Sequence, residues 1–176
     1  MMSPDLLNRI RRIRVAVFDV DGVMTDSGLY RTDDGSEIKR FSSRDGLGMR
    51  LLRDNGVATA IITGRESSLV AHRAHELGVD HLYQGRRKKL PALDELCEAL
   101  SVTYAEVAYM GDDLIDLPVL TRAGLALAVS NADPEVLSRA HWVATQPAGN
   151  GAVREACELI LRGQDKWEGI LADFLA

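Results

Sequence analysis

Short apolar runs, most followed by a helical pattern, constrain the fold of this chain more than any other feature. The runs are Val15–Phe18, Ala58–Ile62, His81–Tyr83, Val107–Met110, Leu125–Ala128 and Trp142–Ala144. Helical periodicity is expected near Gly46–Asp54, Glu66–Leu77, Leu90–Leu100, Leu114–Arg122 and Pro134–Ala140, with a last helix from Ala152 to about Leu161. Such alternation predicts an α/β fold, a parallel sheet with helices on both faces. Thr103-Tyr104-Ala105-Glu106 has the pattern of a capping box, but Val107 opens a strand, so a short turn is expected there. At 176 residues, 46% of them hydrophobic, the chain fits one domain over 1–176, with a tail from about 164.

One stretch breaks the alternation. Leu29–Thr32 and Glu37–Phe41 flank Asp33-Asp34-Gly35-Ser36, a β-hairpin pattern inserted after the first strand. An insertion at that point hangs over the carboxyl end of the sheet, where open α/β folds carry their sites.

Composition removes several classes of function. A formal net charge of -5 opposes non-specific nucleic-acid binding, which needs a positive surface, although a local basic pocket for a small anion remains compatible with it. The arginines before Val15 resemble the start of a signal peptide, but the apolar run is cut at Asp19 and is too short, so a cytoplasmic protein is expected. No apolar run approaches membrane-spanning length. Cys97 and Cys157 lack metal-type spacing and are expected as buried thiols in a reducing compartment.

Polar chemistry collects behind the strands. The first ends in Asp19-Val20-Asp21-Gly22, the second in Thr63-Gly64-Arg65 and the fourth in Gly111-Asp112-Asp113. Parallel strands bring those ends together in space. An Asp-x-Asp pair alone reads as a turn or a helix cap. With Asp112 from another strand it becomes a set of hard oxygen ligands suited to Mg²⁺. Adjacent carboxylates repel unless a cation or proton separates them. A hydroxyl and free amides at Thr63-Gly64 can hold a phosphate, although the dipeptide alone reads as an N-cap turn. No P-loop pattern is present. Arg86-Arg87-Lys88-Lys89 reads as a solvated loop, yet basic charge at a helix start is unfavourable, which hints that one of these side chains turns into the acidic site.

The ordered set of Asp19-Val20-Asp21-Gly22-Val23, Thr63, a lysine and Gly111-Asp112-Asp113-Leu114-Ile115-Asp116 resembles the haloacid dehalogenase (HAD) superfamily of aspartyl-phosphate phosphatases. Phe41–Gly48, Leu82-Tyr83-Gln84-Gly85, Val107–Asp116 and Gly151–Glu155 resemble, within it, the 3-deoxy-D-manno-octulosonate 8-phosphate (KDO 8-phosphate) phosphatases. The resemblance runs from about Arg14 through Gly163. It implies a Rossmann-like HAD fold without a large cap, and a homotetramer in which the hairpin packs on neighbouring subunits and each site is completed across an interface. Counting from Gln84-Gly85, the family lysine falls on Lys89. The implied substrate is a small phosphorylated sugar acid used in lipopolysaccharide precursor synthesis.

The resemblance also assigns roles. Asp19 is the nucleophile and Asp21 the acid and base; Mg²⁺ is held by Asp19, Asp112 and the Asp21 backbone carbonyl. Thr63, Gly64 and Lys89 bind the phosphate, and Asp113 orients Lys89 or a metal-bound water. Arg65 selects the eight-carbon acid, because relatives acting on a nine-carbon acid such as KDN 9-phosphate tend to carry Glu there. Two departures stand out. The tail reads Ala148-Gly149-Asn150-Gly151, where the family commonly has an arginine that could pair with the sugar acid, and Thr25-Asp26-Ser27-Gly28 implies a loop adjustment. Rival readings are a nine-carbon acid phosphatase, a phospho-accepting receiver domain, and a catalytically silent assembly subunit.

Overall fold

The computed structural model describes residues 2–176. Among these residues eight strands and eight helices follow one another, with three short non-α turns between them. The strands are β1 (Val15–Phe18), β2 (Tyr30–Arg31), β3 (Glu37–Ile38), β4 (Ala58–Ile62), β5 (His81–Tyr83), β6 (Val107–Gly111), β7 (Leu125–Ala128) and β8 (Trp142–Val143). The helices are α1 (Pro4–Arg12), α2 (Ser43–Asp54), α3 (Ser68–Leu77), α4 (Leu90–Leu100), α5 (Leu117–Leu120), α6 (Pro134–Leu137), α7 (Ala152–Gly163) and α8 (Trp167–Leu175).

Six strands form one sheet in the order β5-β4-β1-β6-β7-β8, and every pairing in it is parallel. This is the Rossmann-like arrangement, without a large cap. All four residues of β1 are buried, as a central strand covered on both faces requires. Its last residue, Phe18, lies opposite Ile61 on β4 and Met110 on β6. Register therefore carries Asp19 out of the sheet between Thr63 and Asp112. The central trio β4-β1-β6 is what assembles the site.

The antiparallel hairpin β2–β3 is the only other sheet among the described residues. Its paired strands are shorter than the sequence suggests, and Gly35 takes the positive φ of 85° at its tip. Leu29, Tyr30 and Ile38 stay exposed on it.

Several boundaries differ from expectation, three of them for a visible local reason. Helix α2 begins at Ser43 because the Ser42 hydroxyl accepts the Asp45 amide at 3.3 Å. Helix α3 begins at Ser68, since the Ser67 amide donates instead to Gln84 Oε1 at 2.9 Å. The single helix expected over Leu114–Arg122 is a 3-10 turn at Leu114–Asp116 followed by the four-residue α5. There the Asp116 amide donates to the Asp113 carbonyl at 2.9 Å, and Pro118 lacks a donor to continue the first turn. Helix α6 stops at Leu137, α7 runs on to Gly163, and β8 ends at Val143. At Thr103 both the turn and the reciprocal capping box are present.

Two helices were not anticipated. Ser3 caps α1 through the Leu6 amide at 3.2 Å, with Pro4 in its first turn, so the arginine-rich start is an amphipathic helix that buries Ile10. The tail from about 164 folds back as α8, burying Trp167 and Ile170. No helix among the described residues is long and apolar enough to cross a membrane. Cys97 and Cys157 are free and buried.

Candidate active site

Beyond β1 the backbone turns sharply around Gly22, at φ 89°. A Cβ there would lie 1.9 Å from Asp112 Oδ2, so only glycine lets the loop after β1 pass this close to the loop after β6. Asp19, Asp21, Ser27, Thr63, Gly64, Arg65, Asp112, Asp113 and Ile115 line one cavity of about 240 Å³. The sequence-derived candidates thus share one pocket, apart from Lys89, which meets it from beneath.

Lys89 is fully buried, a costly place for an ammonium without partners. Its Nζ donates to Asp116 Oδ1 at 2.6 Å and lies 2.8 Å from Asp19 Oδ2. It is therefore the member of the basic run that turns inward, while Arg86 pairs with Glu95 at 3.0 Å on the surface. Burial pushes the Lys89 amine down, but the two carboxylates more than offset this and leave it above its ordinary value.

The expected contact from Asp113 to Lys89 is not formed. Asp113 Oδ1 instead accepts the Leu114 amide at 2.7 Å and caps the 3-10 turn. Asp116 holds Lys89, and its other oxygen accepts the amides of Asp112 at 2.9 Å and Asp113 at 3.2 Å. The buried Tyr109 hydroxyl donates to Asp116 Oδ1 at 2.5 Å. Asp116 stood in the motif, but its partner Lys89 lies 27 residues away, and nothing in the motif's spacing marks Asp116 rather than Asp113 as that partner.

The remaining electrostatics suit a bound cation. Oxygens of Asp19, Asp112 and Asp116 lie within 4.8 Å of one another. Asp116 is fully engaged by donors, whereas Asp112 Oδ1 is buried without a partner. Burial, then repulsion from Asp116, raises the Asp112 carboxyl to about 8, and burial raises Asp19 to about 6 despite the attraction of Lys89. Carboxyls raised this far are short of positive charge. Asp19 and Asp112 together offer the hard oxygen donors that a divalent cation such as Mg²⁺ takes.

The hairpin reaches this site within the same chain. Lys39 Nζ donates to Asp21 Oδ1 at 2.5 Å, and Arg65 Nη2 donates to Glu37 Oε1 at 2.6 Å. Neither Lys39 nor Glu37 was anticipated, because an alternating hairpin strand gives no sign of which residues face the site. Asn150 is exposed, and beside it the Gly149 amide donates to the Val23 carbonyl at 3.0 Å.

Comparison with known proteins agrees with this geometry. The family model for haloacid dehalogenase-like hydrolases matches residues 82–156. The 3-deoxy-D-manno-octulosonate 8-phosphate phosphatase of Yersinia pestis is 48% identical over 168 residues, 96% of this chain and 90% of that protein. A probable phosphatase from Pseudomonas syringae superposes with a TM-score of 0.97 at 50% identity, covering 99% of both chains. The Moraxella catarrhalis 3-deoxy-D-manno-octulosonate 8-phosphate phosphatase, solved with a magnesium ion, a phosphate ion and KDO, gives a TM-score of 0.96 at 38% identity, covering 98% of this chain and 99% of that one. The chain belongs to the 3-deoxy-D-manno-octulosonate 8-phosphate phosphatase family of haloacid dehalogenase-like hydrolases.

Proposed function

We propose that this protein is a magnesium-dependent phosphatase that converts KDO 8-phosphate to KDO and phosphate through an aspartyl-phosphate at Asp19, in lipopolysaccharide precursor synthesis. The observation that carries the reading is the cavity floor, where Asp19, buried Lys89 and the unpartnered Asp112 oxygen meet beside Thr63. The whole-chain likeness to the relative solved with magnesium, phosphate and KDO supports the same substrate.

In this reading residues 1–176 form one phosphatase domain. A carboxylate oxygen of Asp19 attacks phosphorus, and the sugar oxygen leaves with a proton from Asp21, which gives the acyl phosphate. Asp21 then takes a proton from the water that attacks phosphorus, releasing phosphate and restoring Asp19. Thr63, Gly64 and Lys89 hold the phosphoryl oxygens as charge redistributes. Asp19, Asp112 and the Asp21 carbonyl would hold Mg²⁺, whose charge when bound offsets the repulsion between Asp19 and the phosphate. Asp113, exposed at the cavity rim, would orient a metal-bound water. EDTA is expected to abolish turnover and Mg²⁺ to restore it; full activity in chelator would refute the metal site.

Cation binding has a signed pH dependence. A carboxyl raised in the folded state contributes stability at low pH that is lost as pH rises through the folded value. Asp19 and Asp112 therefore weaken the cation-free protein between about pH 4 and pH 8. Thermal stabilisation by Mg²⁺ is expected to be larger at pH 8 than at pH 5; differential scanning fluorimetry at both checks this, and the reverse order would contradict it.

Arg65 is the proposed substrate selector. It lines the cavity, and its Nη1 is buried without a partner. Lying 4.0 Å from Asp21 Oδ2 and without a hydrogen-bond acceptor, that nitrogen has donor capacity left for a sugar carboxylate, which a Glu would repel. The protein is expected to prefer KDO 8-phosphate over KDN 9-phosphate in kcat/KM, and Arg65→Glu to narrow or reverse the ratio. An unchanged ratio would remove Arg65 from selection.

The proposed setting is the cytoplasm and the proposed assembly a homotetramer, with nucleic acid and membrane excluded as partners. Supporting the assembly, Leu29, Tyr30 and Ile38 expose an apolar hairpin face, and a two-stranded hairpin is marginal alone. Light scattering should give four chains for the wild type and fewer for a Leu29→Glu, Ile38→Glu variant.

A further inference from the structure

We infer that Lys39 of the hairpin is a positioning residue for Asp21, so that β3 and the residue after it belong to the catalytic apparatus of their own subunit. The inference rests on the reading of Asp21 as the proton donor to the leaving group.

Lys39 follows β3 and buries its side chain to 2% exposure, although the hairpin around it is open to solvent. A buried ammonium is retained only where partners compensate it. Its partners are Asp21 Oδ1 at 2.5 Å and Glu37 Oε1 at 3.6 Å. Glu37 in turn accepts Arg65 Nη2 at 2.6 Å through Oε1 and the Ser67 hydroxyl at 3.1 Å through Oε2. Arg65 Nη1 stands 4.0 Å from Asp21 Oδ2, which completes a ring of two cations and two carboxylates. Within that ring Asp21 and Arg65 face the cavity, whereas Lys39 and Glu37 do not line it.

This arrangement fixes a side chain that its own loop leaves free. Asp21 lies within the Val20–Met24 turn and has two rotatable torsions, and among the described residues no backbone amide donates to its carboxylate, in contrast to Asp19. Lys39 grips one oxygen and leaves the other towards the cavity. A proton must pass between Asp21 and the leaving oxygen along a defined line, and misplacement by about 1 Å costs on the order of 10²-fold in rate. Lys39 touches no reacting atom; its contribution passes through the orientation of Asp21.

The leaving group separates this role from a merely structural one. A sugar or glycerol alkoxide needs a proton as the P–O bond breaks, whereas p-nitrophenolate departs without one. kcat/KM reports the steps up to phosphorylation of Asp19. Lys39→Met, which keeps the apolar stem, is expected to lower kcat/KM for KDO 8-phosphate roughly 10²-fold. For p-nitrophenyl phosphate the same variant should change by less than about threefold, within the effect of a weak contact. Lys39→Arg, which restores a donor, should recover part of the loss. Equal losses on both substrates, or no loss on either, would overturn the inference. Glycerol phosphate serves as a second alkyl substrate, so the contrast survives even if KDO 8-phosphate proves a poor substrate for the wild type. Failure of the substrate reading is then distinguishable from failure of the Lys39 inference.

Discussion

Asp19→Asn is expected to reduce phosphate release to background, a loss of at least roughly 10⁴-fold by comparison with other nucleophile deletions. The substitution preserves shape, and an amide oxygen can still accept the Val20 amide that Asp19 Oδ1 holds at 2.7 Å. What it removes is the carboxylate oxygen beside Lys89 that would attack phosphorus. The fold should survive, because Lys89 keeps Asp116, and one of three mutually repelling carboxylates becomes neutral. Acid-quenched wild type incubated with substrate should carry one covalent phosphate by mass spectrometry, absent in the variant. Substantial turnover by a folded Asp19→Asn protein would sink the covalent route and favour direct attack by water.

How much of this was legible beforehand follows from which interactions are local. The six sheet strands were readable because each is a short, mostly apolar run, and parallel order then brings the ends of β1, β4 and β6 together. Asp19, Thr63 and Asp112 follow directly from those ends. Helices were less legible. The arginines of α1 masked its Ser3-Pro4 capping signal, and α8 is short, with only Trp167 and Ile170 buried. The break at Leu114–Asp116 arises where the Asp116 side chain turns back onto two amides, a choice that helical periodicity does not encode. Long-range polar partners were the least legible. The contact between Lys39 and Asp21 spans 18 residues and that between Lys89 and Asp116 spans 27, and the first needs the hairpin to fold over the carboxyl end of the sheet. The role expected of Asp113 in holding Lys89 went to Asp116 for the same reason: neighbouring acids are indistinguishable until the turn fixes which one points inward.

Lys89→Met tests the buried charge cluster directly and should damage stability and activity together. The methionine fills most of the lysine volume, so packing is largely kept, but Asp19 and Asp116 lose the ammonium that lies 2.8 and 2.6 Å from them. Removing one partner from a buried ion pair costs about 3–5 kcal/mol, because the remaining charge stays desolvated. For a chain of this size that is a fall in Tm of about 10 °C in EDTA. Turnover should drop on the order of 10²- to 10³-fold, as for loss of a single donor to a developing phosphoryl charge. Adding Asp116→Asn separates the two effects. Its side-chain oxygen can still accept the amides of Asp112 and Asp113, and its NH₂ can donate to the Tyr109 hydroxyl, which now bonds Asp116 Oδ1. The double variant should therefore regain part of the lost Tm while its activity stays low. Mg²⁺ should stabilise Lys89→Met more than the wild type, since the cation then supplies the positive charge that Asp19 has lost with the ammonium. A single variant as stable as the wild type in EDTA would mean that the carboxylates stay protonated without Lys89, and that its ammonium does not hold them ionised.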